Sequence, residues 1–107
     1  MIKATILQLK GRNIGYVIKN HGDPVVCAAV SMLAINTINS IKAFTPLKDS
    51  EFILKSDEKG GFIAFSLKGL HSRTSGAGIL LDALALGLKD VQAQHPKDLK
   101  LAIRKVM

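Results

Sequence analysis

The chain carries one cysteine, Cys27, and His21 stands six positions before it. A cysteine thiolate is a strong nucleophile. A histidine within reach takes the thiol proton and later returns it to a leaving amine. Asp23-Pro24 lies between the two. Aspartate followed by proline is a helix-start signal: the carboxylate caps free N–H groups, and proline in the first turn has no N–H to lose. Cys27 therefore falls about one turn inside a helix, where the backbone favours negative charge. Ser31 follows one turn later, placed to hydrogen-bond to the thiolate or to a substrate carbonyl. Asp23 caps the helix, orients His21, or does both. The plainer alternative is that Cys27 is a small core residue and Asp23 only a cap.

Other candidates are weaker. His71 and His95 have no cysteine or carboxylate at ligand spacing, so no metal site is expected. His95 fits better as a capping partner at a helix end. The run Thr74-Ser75-Gly76-Ala77-Gly78 lacks the Walker lysine pattern, and no G-x-G-x-x-G is present, so no cofactor is expected. Gly76 and Gly78 instead border a substrate groove in this reading, with Gly22 beside His21.

The elements that must position these residues follow from periodicity. Residues 2–9 alternate as a strand with Ile2, Ala4 and Ile6 on one face, and the alternation slips at Leu7 and Leu9, which predicts a bulge. A turn at 10–13 leads to a second strand over 14–19. The first helix runs over 24–43, with Cys27, Ser31, Ala34, Ile38 and Ile41 on one face. Residues 51–56 and 61–67 form a second hairpin. A second helix runs over 75–94, capped by Thr74 or Ser75 and closed by His95-Pro96. Residues 99–103 form a short last strand. The order ββαββα(β) predicts an α/β (α+β) two-layer sandwich: a mainly antiparallel sheet packed against two helices, in a single domain over 1–107.

Composition bounds the rest. Of the 107 residues, 48% are hydrophobic and 21% charged, which places the chain among globular proteins and excludes a disordered one. A lone cysteine makes no internal disulfide and suits a reducing compartment. No signal peptide is visible, and no apolar run approaches the roughly 18–20 residues of a membrane span, so a soluble cytoplasmic protein is expected. The net charge of +7 suits work near RNA, ribosomes or acidic ligands. Sequence-specific RNA reading is not expected, because no aromatic stacking pattern accompanies the charges. The second helix is apolar over much of its girth (Leu80, Leu84, Leu88 and Val91 beside Ile79, Ala83 and Leu86), which suits a homodimer with a partner subunit on its second side or, more plainly, a wide stripe under a curved sheet.

The stretch Asn20 to Ser31, NHGDPVVCAAVS, resembles the signature of the ribosomal-processing cysteine protease family, the Prp or YsxB-like proteins. His21, Asp23, Cys27, Ala28 and Ser31 match it. The resemblance extends over nearly the whole chain, through Asn36 and Asn39, Gly60-Gly61-Phe62, the Leu-rich second helix ending at Gln94-His95-Pro96, and Leu99-Lys100-Leu101. It implies a dimeric endopeptidase that removes a short N-terminal extension from a large-subunit ribosomal protein near the peptidyl transferase centre. It assigns the dyad to Cys27 and His21, and supporting roles to Asp23 and Ser31. The chain departs from the pattern in a shorter His–Cys loop, in Asn20 and Gly22 flanking His21, and in Asp23 standing four residues before Cys27. The rival reading is a non-catalytic, basic, dimeric module that binds ribosomes or RNA.

Overall fold

The computed structural model describes residues 1–57, 59–68 and 76–106. Two strands open the chain, β1 (Ile2–Leu9) and β2 (Arg12–Lys19). Lys10 and Gly11 turn between them with positive φ of 52° and 76°, the backbone that a two-residue hairpin demands. The register slips between Leu7 and Gln8, where the apolar alternation of the sequence slips.

Helix α1 (Pro24–Phe44) follows, then a short 3₁₀ turn at Asp49–Glu51 and the hairpin β3 (Phe52–Asp57) with β4 (Phe62–Leu67). Helix α2 (Ala77–Gln94) leads to β5 (Leu99–Val106). The sheet order is β3-β4-β2-β1-β5. All neighbours are antiparallel except β1 and β5. By these pairings β3 is parallel to β2, and β5 is parallel to β4. Parallel strands need a long crossover, and α1 and α2 are those crossovers. Both helices pack on one face of the sheet and leave the other face open.

One core joins the layers. It takes Ile2, Ala4 and Ile6 from β1, Tyr16 and Ile18 from β2, and Phe65 from β4. Helix α2 adds Leu81, Leu84 and Leu88. Burying each such leucine contributes about 1.5–3 kcal/mol. Tyr16 is wholly buried, and its hydroxyl donates to the Ala34 carbonyl at 2.8 Å. That bond fixes the middle of α1 over β2.

Three details differ from the sequence reading. The buried face of α1 is Val26, Val30, Ala34, Thr37, Ile38 and Ile41. Cys27 is half-buried and Ser31 exposed, because the β-branched pair Val26 and Val30 takes the buried positions and leaves both on the wall of a groove. The last strand is eight residues long, since it pairs with β1 along its whole length. Helix α2 starts at Ala77 with Gly76 as N-cap at φ 95°; Thr74 and Ser75, expected as caps, lie outside the described residues, as does His71.

Helix α1 also has the length and apolar character to cross a membrane, with mean hydropathy 1.6 over its best window. The sequence reading had no such run. The polar Asn36, Thr37, Asn39 and Ser40 interrupt its apolar run but leave its mean hydropathy high. Its buried face packs on the sheet as a core helix.

Candidate active site

Asp23 starts α1. Its carboxylate oxygen Oδ2 accepts from the N–H of Val25 at 3.0 Å and of Val26 at 3.2 Å. Pro24 occupies the first turn, and the Cys27 N–H donates to the Asp23 carbonyl at 2.8 Å. The cap therefore consumes the N–H groups at the helix start, and no described hydrogen bond joins Asp23 to His21. Those N–H groups are not free to hold an oxyanion.

The short loop over 20–23 brings His21 back over the helix. Its Nδ1 lies 4.0 Å from Cys27 Sγ. On the other side of the ring, Nε2 lies 3.3 Å from the carbonyl oxygen of Lys59, in the β3–β4 turn. A carbonyl only accepts, so Nε2 carries the hydrogen and Nδ1 presents its lone pair to the thiol. The sequence reading placed no residue of this turn in the site.

Gly61 completes the seat. A Cβ there would stand 2.7 Å from His21 Nε2 and 2.9 Å from Cδ2, and the residue has φ 63°. Position 61 is thus closed to a side chain twice over, by the ring and by the left-handed backbone.

Cys27, His21 and Ser31 open onto one groove of about 300 Å³. Its floor is apolar, built from Ile18, Val30, Ala34, Ile35 and Ile63. Gly22 packs its backbone beside Ile2, where a Cβ would come within 3.2 Å of the side chain. Gly76 and Gly78 are elsewhere. Gly76 sits by Thr45, at the far end of α1, roughly 27 Å along the helix axis from Cys27 at 1.5 Å per residue. Gly78 lines a separate polar cleft with Arg12, Asn13 and Asp82. His95 caps the end of α2 through its N–H to the Val91 carbonyl, with its ring 4.0 Å from Asp98.

The family model for the cysteine protease Prp matches residues 1–100. The chain belongs to the cysteine protease Prp family. Solved structures share the fold. SMU.848 from Streptococcus mutans is 24% identical with a TM-score of 0.85, over 99% of this chain and 96% of that one. The ribosomal processing protease Prp from S. aureus with a covalently linked product peptide is 18% identical, TM-score 0.84, over 97% and 100%. The same protease with a substrate peptide is 17% identical, also at TM-score 0.84 and the same coverage. Among curated proteins nothing matches. A cysteine protease of this family needs a thiol, a base and a place for a peptide, and Cys27, His21 and the apolar groove are candidates for all three.

Proposed function

We propose that the chain is a cysteine endopeptidase that removes a short N-terminal extension from a bacterial large-subunit ribosomal protein precursor, acting in the cytoplasm as a homodimer. The observation that carries this reading is the apposition of Cys27 Sγ and His21 Nδ1 over an apolar groove, in a chain of the Prp family. The S. aureus protease of the same fold holds substrate and product peptides.

In this mechanism His21 Nδ1 takes the Cys27 proton, and the thiolate attacks the scissile carbonyl carbon. Negative charge moves to the carbonyl oxygen. The Ser31 hydroxyl, exposed one turn beyond Cys27 on the groove wall, donates to it. The intermediate collapses as imidazolium His21 gives its Nδ1 proton to the leaving amine, and a thioester remains on Cys27. His21 then takes a proton from water, whose hydroxide releases the acid product and returns the thiol. Throughout, Nε2–H stays on the Lys59 carbonyl, so the ring keeps one tautomer and one orientation. Asp23 acts as the cap that fixes the helix start. Gly22 keeps the chain beside His21 slender. The apolar floor selects an apolar side chain next to the cut.

The homodimer rests on the helix layer. Met32 of α1 is 64% exposed and Leu86 of α2 is 62% exposed. Met32 lines a shallow groove with Ala29, Leu33, Gly87 and Val91, and Leu86 precedes Gly87 on α2, which makes a surface suited to a second copy.

Iodoacetamide labelling tests the dyad without a substrate. Cys27 in the folded protein should alkylate rapidly near neutral pH, and His21→Ala should slow it. A thiol that reacts only after unfolding would contradict the reading.

A further inference from the structure

The open face of the sheet has a charge pattern that only the strand register reveals. Side chains alternate along each strand. Ile2, Ala4 and Ile18 point into the core, so Lys3 and Lys19 point outward, and both are exposed. Lys3 pairs directly with Lys19 on one side and with Lys100 on the other. Three lysines thus stand abreast on three adjacent strands, about 5 Å apart at their Cβ atoms. Like charges directly opposite destabilise a sheet. Among the described residues none of the three has an ion-pair partner.

The rest of the face extends the pattern. The next outward row is Ala102, Thr5, Val17, Ala64 and Lys55. The row beyond is Arg104, Leu7, Gly15, Ser66 and Ile53. Mostly small or flat side chains form a shallow floor, with cations along one end and at two margins. The lysine row itself continues through Phe62 to Asp57, two strands from Lys19 and the one carboxylate at an outward position of these rows on the described strands, and its Oδ1 is held by the Gly60 N–H.

We propose that this open face docks the phosphate backbone of RNA. A row of mutually repelling lysines gains most from a polyanion, which replaces repulsion by paired charge and releases counterions. The floor is shallow enough for a backbone to approach the sheet. Its outward positions carry one aromatic, Phe62 beside Lys19, and one ring makes no row for base stacking, so binding is independent of sequence. RNA is chosen over other polyanions because the proposed substrate is a ribosomal protein precursor; the inference rests on that reading to this extent. The placement is apt. Ile2 and Ile18, the neighbours of Lys3 and Lys19 in the chain, line the peptide groove on the opposite side of the sheet. RNA on the lysine row would lie beneath the site that cuts.

The test is a titration of the intact protein with labelled oligouridine and oligoadenosine at several salt concentrations, without peptide substrate. Two triple variants remove equal charge. One is Lys3→Gln, Lys19→Gln and Lys100→Gln on the open face. The other is Lys42→Gln, Lys48→Gln and Lys89→Gln on α1, the loop after it and α2. The face variant should lose affinity about tenfold or more at physiological salt, with the slope of log K against log salt reduced by about 2. The helix-side variant should stay within about threefold, and both oligomers should bind wild type alike. Equal losses in the two variants, or none in the face variant, would overturn the proposal. So would a flat RNA titration, whether or not the protein binds phosphatidylglycerol vesicles. Thermal melts show that both variants are folded, and cleavage of a short precursor peptide by the face variant should match wild type. Failure of the RNA titration leaves that peptide assay intact, and failure of the peptidase leaves the RNA titration intact.

Discussion

His21 and Gly61, forty positions apart, fit as ring and seat: a Cβ on Gly61 would stand 2.7 Å from His21 Nε2. Ala at 61 must push the imidazole off the Lys59 carbonyl and away from Cys27. Gly61→Ala should therefore lower peptide cleavage by about 10²-fold or more, the lower end of what a positioned base contributes. The left-handed backbone adds a stability cost of about 1–2 kcal/mol, read separately from a melt. Gly61→Asn tolerates that backbone better yet also carries a Cβ, so it should stay folded and equally slow. Wild-type rates in a folded Gly61→Asn protein would show that the turn does not seat the ring.

Asp23 spends its carboxylate on Val25 and Val26 N–H groups. Asp23→Asn keeps an acceptor at the cap and should retain most activity. Asp23→Ala should cost about 1 kcal/mol of stability while slowing cleavage far less than His21→Ala does. Paired melting and rate measurements check this. A loss in Asp23→Asn as deep as that in His21→Ala would make Asp23 an orienter of the base.

Burial raises the Tyr16 phenol well above its ordinary range. Its proton is held more tightly in the folded chain than in the unfolded one, so the unfolded state binds fewer protons once pH passes about 10. Stability from this group is complete below that pH and falls as pH rises further, toward the folded value. Denaturation curves should weaken along this alkaline limb. Tyr16→Phe should flatten the limb and cost about 1 kcal/mol at neutral pH through loss of the bond to Ala34. An unchanged limb would contradict the assignment.

Met32→Glu with Leu86→Glu places charge on the exposed helix face. Sedimentation should show a dimer for wild type and a monomer for this variant, with the melt little changed because neither side chain is in the core. A wild-type protein that sediments as a monomer would remove the homodimer.

Local signals are legible in the sequence. Asp23-Pro24 fixed the helix start, the slip at Leu7 marked the bulge, and Cys27 with His21 named the pair that the loop brings together. The Lys59 carbonyl was not legible, because the contact is between a main-chain atom and a ring 38 positions away, and only the pairing of β2 with β4 sets them side by side. The Gly60-Gly61-Phe62 run carries a family resemblance in the sequence, but that Gly61 leaves room for a ring follows only from the fold. Strand β5 outruns the 99–103 that its apolar pattern predicts because the charges after Ile103 break that pattern, whereas an edge strand tolerates charge. The lysine row was invisible as well: Lys3, Lys19 and Lys100 are far apart in the chain and meet only through register.

Incubation of the purified protein with a full-length ribosomal protein precursor bearing its N-terminal extension, read by mass spectrometry, tests the central claim most directly. A single cut near the precursor's N-terminus, abolished in Cys27→Ala and in His21→Ala, is the result predicted. An intact precursor after incubation with folded wild-type protein, or a cut that survives both substitutions, would contradict it.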